Sequence, residues 1–403
     1  MEQVLDDGCD DPISHGAMAN QSRLKILHVV LSLDYGGTEK IVVDLVNGLP
    51  RLEFDSSVLC MDRGGRRVSQ VRRDVPVHIM GRRPGLSLSN FQSFYSFLAR
   101  IKPDIVHFRN FTTYFWGCLP SKVFRNIRVI YSDHSEIVFH CQAKKKGKLI
   151  ARRLLKRLTD GFMTNCEIFK EKLVDCLRMP PSEILVIANG IDANRFFPLS
   201  EMDRQSARLE NGFTEGDCIL GIVASFRAKK NIALAIHAMV DLATRLPQAK
   251  LVLVGEGEQE SELRHLVDQL GMGEKVVFAE VRKDVNTIVN AFDVFLFPSA
   301  YGEGMPNAVL EAMAAKIPIV ASDIPGNVEI MEGEERGALF ANNQKDSMVQ
   351  AVMNAVSDPG QARRRAEKAY LYIQEERSLS KMIDQYSRFY HAVFEGRNGG
   401  SGM

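Results

Sequence analysis

The sequence predicts an α/β protein made of two doubly wound domains whose sheets face a shared cleft. Three observations carry that expectation. Short Val- and Ile-rich runs alternate with segments of helical spacing along most of the chain, the pattern of parallel strands covered by helices on both faces. Roughly a dozen such runs are present, too many for one open sheet. The chain has 403 residues, 45% hydrophobic and 25% charged, enough to build two ordinary globular cores.

In the first half, KILHVVLSL (25–33), DSSVLCM (55–61), VPVHIMG (75–81), PDIVHF (103–108), RVIYSDH (128–134) and GFMTN (161–165) read as short buried strands. Helical spacing follows them in segments such as EKIVVDLVNGL (39–49) and NFQSFYSFLARI (90–101). In the second half we read EILVIAN (183–189), CILGIVASF (218–226), KLVLVGEG (250–257), KVVFAEV (275–281), VFLFPS (294–299) and IPIVASD (317–323) as strands. The helices there include IALAIHAMVDLATRL (232–246), ESELRHLVDQLG (260–271), VNTIVNAF (285–292) and NAVLEAMAAK (307–316). The turn-rich stretch NGIDANRFFPLSEMDRQ (189–205) marks the boundary. The expected organisation is a disordered tail over 1–22, a first domain over 23–195 and a second over 196–380. A crossover helix and flexible tail follow over 381–403, with KMIDQYSRFYHAVF (381–394) crossing back to the first domain.

The opening residues are acidic and lack the apolar core of a signal peptide. The longest apolar runs are far too short to span a bilayer. Seven cysteines, at 9, 60, 118, 141, 166, 176 and 218, contain no CxxC pair, which fits a reducing cytosol and neither a zinc site nor a disulfide scaffold. No HExxH occurs, and His134 and His140 are wrongly spaced to share a helical face. The net charge of +1 hides an asymmetry: residues 21–198 carry 29 Lys and Arg against 16 acids, and the remainder after 198 carries 22 against 29. A basic first half is suited to facing something anionic. Its cations are not interleaved with aromatics, so nucleic acid is not the expected partner.

Three stretches carry chemistry. DYGGTEK (34–40) joins the first strand to the first helix; Gly36 and Gly37 let backbone approach a ligand, and a helix N-terminus favours negative charge. Its spacing is neither GxGxxG nor a Walker loop. SFRAKKN (225–231) sets Arg227, Lys229 and Lys230 at the carboxyl end of a strand, where cations neutralise a diphosphate. EGMPNAVLE (303–311) puts Glu303 on a turn before a helix and Glu311 inside it. Pro306 is expected as the first helical residue, and the amides of Gly304, Met305 and Asn307 are free for a ligand oxygen. Asn307 and Glu311, four apart, share a face, and a carboxylate is a good acceptor for paired sugar hydroxyls.

EGMPNAVLEAM resembles the E-x7-E motif of the retaining GT-B glycosyltransferases of family four, which use nucleotide sugars. GGTEK is similar to that family's N-terminal glycine loop, NGIDANRFFP to its interdomain signature and VASFRAKKN to its phosphate loop. LVLVGEGEQESEL and VRKDVNTIVNAFDVFLFPS are similar to its base-side segments. The resemblance runs from about residue 25 to 390 and is most similar to bacterial exopolysaccharide and lipopolysaccharide sugar transferases. It implies a GT-B fold of two Rossmann-like domains. It also implies these roles: Glu311 on the donor ribose; Glu303 and the amides of Gly304 to Asn307 on the sugar and phosphate; Lys230 on the phosphate; Gly36 and Gly37 around the diphosphate. Main chain near Val281 and Arg282 would meet the base, and His134 would lie near the donor sugar. One departure is Ser225, where the family commonly has arginine; Arg227 is the expected substitute.

The expected function is therefore retaining, metal-independent transfer of a sugar from a nucleotide diphosphate sugar, a UDP-sugar by preference, to a glycan or lipid-linked acceptor. No cofactor or metal is expected. A nucleotide-sugar epimerase or hydrolase, or a catalytically silent binding module, are the competing readings. The stretch AKKKGKLIARRLLKRL (143–158) reads as an amphipathic helix. Leu149, Ile150, Leu154, Leu155 and Leu158 lie near one face with Lys148, Arg152, Arg153, Lys156 and Arg157 around it, a candidate contact with an anionic membrane. The expected location is the cytoplasm, with peripheral attachment at the inner face of the plasma membrane.

Overall fold

The computed structural model describes residues 23–34, 36–83, 87–134, 146–279 and 284–396. Thirteen strands form two sheets, both wholly parallel among the described residues. The first runs β3 (Val77–Ile79), β2 (Phe54–Cys60), β1 (Leu24–Val30), β4 (Ile105–Phe108), β5 (Arg128–Ser132), β6 (Gly161–Thr164) and β7 (Ile184–Val186). The second runs β10 (Val276–Ala279), β9 (Ala249–Val254), β8 (Cys218–Val223), β11 (Val294–Phe297), β12 (Ile319–Ser322) and β13 (Ala338–Phe340).

Near-continuous burial along these strands follows from their composition. Val, Ile, Leu and Phe fill both faces because helices cover both. In each sheet the chain order reverses at the first strand. β1 pairs with β2 on one side and β4 on the other; β8 pairs with β9 and β11. Ligands of doubly wound sheets bind at the carboxyl side of such switch points. The glycine loop leaves β1 and the basic loop leaves β8, so each sits at the switch point of its own sheet.

The EILVIAN stretch, read from the sequence as part of the second half, instead supplies β7 at the edge of the first sheet. Its apolar run identifies a strand but not the sheet it joins. The final helix, Leu379–Phe394, crosses back as expected. Met382, Tyr386, Phe389, Tyr390 and Val393 pack into one core with Leu24, Ile26, Ile105 and Ile130 of the first sheet. Beneath it a buried polar network ties helix to sheet. Arg109 donates to Tyr386 Oη (3.1 Å), and His107 bonds Tyr390 Oη (3.0 Å) and Ser132 Oγ (3.1 Å).

The helix Lys146–Leu155 corrects the amphipathic reading of 143–158. Residues 143–145 lie outside the described residues. Leu155 is buried and Leu149 and Leu158 pack on the first domain's core, but Ile150 and Leu154 point outward, 56% and 63% exposed. Arg152, expected on the rim, is fully buried. Its guanidinium lies 3.2 Å from Asp133 Oδ2, which also accepts from Tyr131 Oη at 2.6 Å. The leucine face is therefore split, with an ion pair at its inner edge.

Candidate functional site

Because β8 and β11 are neighbours, the loops at their carboxyl ends lie side by side. Ala300 N donates to Lys229 O (2.8 Å), which stitches the two loops together. This brings Lys230 Nζ to 2.9 Å and Lys229 Nζ to 3.2 Å from Glu303 Oε1, with the Glu303 side chain only 10% exposed. Burial raises the cost of the Glu303 charge. The two ammonium groups outweigh it and hold the carboxyl below its ordinary range, so it is ionised. Burial pulls the Lys230 ammonium down, opposed chiefly by Glu303. Lys230 also lies over the Phe297 ring at 4.9 Å, a cation–π contact that fixes its reach.

The turn that carries Glu303 leaves no spare volume. A Cβ on Gly326 would come within 2.2 Å of Gly304 O, and one on Gly304 within 2.5 Å of the Phe169 ring in the first domain. The helix that follows is Asn307–Ala314. Pro306 is its N-cap residue, one position earlier than expected, so the opening amides, including that of Asn307, have no partner within the helix. Asn307 and Glu311 share a face as expected, and that face meets the first helix of the first domain, Gly37–Gly48. Asn307 Nδ2 donates to Gly37 O (3.3 Å), and Lys40 is the strongest charge acting on Glu311. Glu311 is 9% exposed. Burial pushes its carboxyl above the ordinary range, against the opposing pull of Lys40, Arg195 and Arg67.

Gly36 and Gly37 flank the start of the first helix. The Glu39 carboxylate folds back over Gly36, where a Cβ would meet Glu39 Oε2 at 2.1 Å. Burial raises Glu39, with Arg67 and Arg227 pulling it down. Arg227 is exposed at the mouth of the basic loop, within electrostatic reach of Lys230 and Glu39. His134 follows Asp133 just past the end of β5. Both ring nitrogens are buried without a hydrogen-bond partner among the described residues. Burial, then the Arg109 charge, push the ring down to about 3, so it is neutral at physiological pH. Val281 and Arg282 lie outside the described residues.

The structure thus brings Glu303, Lys230, Gly304, Met305, Pro306, Asn307, Glu311, Gly36 and Gly37 to one cleft, with Arg227 at its edge. Sequence reasoning missed Glu39, Lys40, Arg67 and Asn189. Two of these stood inside a motif already singled out, GGTEK, and Asn189 opens the interdomain signature. Arg67, in the 3-10 turn Arg66–Gln70, had no signal at all. The same cleft is bridged by Arg66 and Glu256, 2.6 Å apart across the two domains. No group of three or more His, Cys, Asp or Glu placed to hold a metal ion occurs among the described residues.

Comparison with known proteins finds two family models on the chain. The family model "Glycosyltransferase Family 4" matches residues 35–195, and "Glycosyl transferases group 1" matches residues 203–372. The chain is similar to the UDP-Gal:alpha-D-GlcNAc-diphosphoundecaprenol alpha-1,3-galactosyltransferase of Escherichia coli. The two are 26% identical over 351 residues, 84% of this chain and 90% of that one. Among solved structures, Anabaena HepE in complex with UDP-glucose superposes with a TM-score of 0.81 at 19% identity, covering 92% of this chain and 100% of that one. WaaG, a glycosyltransferase involved in lipopolysaccharide biosynthesis, superposes with a TM-score of 0.72 at 17% identity, covering 90% of this chain and 98% of that one. With one family model on each domain and GT-B enzymes superposing over nearly its whole length, the chain belongs to the family-four glycosyltransferases.

Proposed function

We propose that this glycosyltransferase moves a sugar from a UDP-sugar to a lipid-linked or glycan acceptor in cell-surface polysaccharide synthesis, with retention of configuration and without a metal ion. The observation that carries the reading is the pairing of Glu303 with Lys230 and Lys229 at the carboxyl ends of adjacent strands. Glu311 stands about one turn into the helix Asn307–Ala314, on the face that meets the first helix of the first domain near Lys40. The sugar C1–oxygen bond to the diphosphate breaks with its electron pair going to the diphosphate oxygen, the acceptor hydroxyl oxygen bonds C1, and the hydroxyl proton passes to that departing oxygen, on which negative charge builds in the transition state. Lys230, Arg227 and the helix N-termini at Gly37 and Asn307 are suited to meet that charge. Glu311 is suited to the ribose hydroxyls and Glu303 to the sugar. Retention places acceptor attack on the face from which the diphosphate leaves. The E. coli relative, whose named acceptor is a diphosphoundecaprenol lipid, supports a lipid-linked acceptor here.

No helix among the described residues is long and apolar enough to cross a membrane. A peripheral contact has support on the outer helical layer of the first domain. Ile150 and Leu154 are exposed on one helix, Leu119 and Val123 on its packing neighbour Phe111–Val123, and Arg157 and Arg125 are exposed nearby. Exposed aliphatics ringed by cations fit an anionic headgroup surface.

The test is incubation with labelled UDP-sugars, with and without lipid-linked acceptor and with and without EDTA. Sugar moved to acceptor, unaffected by EDTA, supports the reading. Altered free sugar nucleotide indicates an epimerase or hydrolase, and binding alone a silent module. Flotation with vesicles of graded anionic lipid content tests the surface: binding should rise with anionic lipid, fall with salt, and weaken in Ile150→Ser/Leu154→Ser.

A further inference from the structure

The chain leaves the first domain after β7 and returns to it at Arg377–Leu379, and the two crossings touch. Ile191 N donates to Arg377 O (2.8 Å) and Leu379 N donates to Ile191 O (2.9 Å). Packing is tight enough that a Cβ on Gly190 would fall 2.6 Å from Ser378 O. Among the described residues these two crossings are the covalent joints between the domains, so an opening of the cleft rotates about them. Asn189 stands two residues from the touching pair and is 4% exposed. Its Nδ2 donates to Met305 O (2.8 Å) and to Asn307 Oδ1 (2.8 Å), and its backbone N–H meets Met305 Sδ (3.2 Å). Asn307 Nδ2 in turn donates to Gly37 O (3.3 Å).

The orientation of both amides is fixed. Met305 O and Gly37 O can only accept, so each asparagine must turn its NH₂ toward a carbonyl, and Asn307 has only its Oδ1 left for Asn189. The result is a one-way relay from the hinge, through the loop that carries Glu303, to the glycine loop of the opposing domain. Atoms close to a rotation axis move least. Opening the cleft therefore parts Asn307 from Gly37 while leaving Asn189 on Met305 and Asn307.

From this geometry we propose that Asn189 is a positioning residue for sugar transfer: it holds the Met305 carbonyl and Asn307 in donor-binding register and so links domain closure to the donor site. The proposal rests on the reading of residues 303–311 as the donor loop. Removing Asn189 Nδ2 takes this donor from the buried Met305 carbonyl and from the half-buried Asn307 Oδ1, and frees the loop to drift.

The experiment is a double-mutant cycle of Asn189→Ala and Asn307→Ala in the full chain. It reads UDP affinity by calorimetry, donor and acceptor KM, and thermal unfolding. Asn189→Ala is expected to weaken UDP binding and raise donor KM by about ten- to a hundredfold, with acceptor KM unchanged. In the Asn307→Ala background the same change should cost less than about threefold, because both act through one relay. Unchanged UDP affinity and donor KM in Asn189→Ala, or losses that multiply independently, would overturn the proposal. So would a fall in melting temperature with no loss of UDP affinity. Should Asn189→Ala not fold, Asn189→Asp, of the same shape but with no Nδ2 donor, takes its place under the same criteria. Glu311→Ala separates the two readings: if it binds UDP like the wild type, it is the donor-loop assignment that fails.

Discussion

Lys230 Nζ and Glu303 Oε1 are 2.9 Å apart although 73 positions separate them in the chain. The pair balances a largely covered carboxylate with a largely covered ammonium at the place where two parallel strands end. Removing Lys230 leaves Glu303 with Lys229 alone, and removing Glu303 leaves two ammonium groups side by side, which makes the contact informative about both catalysis and pH response.

Lys230→Ala should lower turnover by about 10²–10³, the usual scale for one preorganised charge facing a leaving group. Arg227→Ala should act in the same direction if it replaces the arginine missing at Ser225; being exposed, its effect should be the smaller of the two. Steady-state kinetics with a saturating UDP-sugar measures both. A silent Arg227→Ala beside a crippled Lys230→Ala would end the substitution idea.

Glu311 gives a paired test of stability and binding. Its folded-state carboxyl is raised by burial, so the fold disfavours its charge, and that cost appears as pH rises through the raised value. Glu311→Gln should therefore raise the melting temperature near pH 7 to 8, with the gain shrinking as pH falls into the carboxylate range. The same variant should bind UDP more weakly, because a neutral amide is a poorer acceptor for two hydroxyls. Thermal melts across pH, with calorimetric UDP titrations, read both.

His134 should not titrate in the physiological range. Burial and Arg109 hold it down to about 3. Its ring resonances should stay flat between about pH 5 and 8, and His134→Gln should leave the shape of the pH–rate profile unchanged. A shift with midpoint near 6.5 would show that the ring meets solvent or an acid when the enzyme works.

The buried pair of Asp133 and Arg152 holds the end of β5 beside His134. Asp133→Ala should destabilise the protein by about 1–3 kcal/mol, since it takes the shared carboxylate away from the buried Arg152 guanidinium and Tyr131 hydroxyl. Urea unfolding measures this, and a loss below about 1 kcal/mol would indicate that water reaches Arg152.

The strands were legible because two-sided burial writes itself as unbroken Val/Ile/Leu runs. KILHVVLSL and VFLFPS fall on β1 and β11 within a few residues. The strand β13 escaped because Ala338–Phe340 stands in no longer apolar run, whereas the equally short β3 and β7 lie inside VPVHIMG and EILVIAN. EILVIAN was recognised as a strand inside the expected first-domain bounds, but grouped with the second-half strands, since an edge strand of one sheet and the first strand of the next look alike. The split of the 146–155 helix was also hidden. Helical spacing shows that leucines cluster, not which of them a neighbouring helix covers.

Sequence alone determined the parts of the site: the glycines before the first helix, the cations after β8, the two glutamates around Asn307, and the family they indicate. It did so because each part is local, a strand end followed by a turn of special chemistry. Tertiary structure decided which parts meet. Lys230 reaches Glu303 because β8 pairs with β11, and Glu311 faces Lys40 because the second domain's helix lies against the first domain's. Asn189 reaches Asn307 because the crossing chain passes behind the loop that carries Glu303. Sheet order and domain closure are set by the sum of many weak packing contacts across the whole molecule, and no short stretch of residues records that sum.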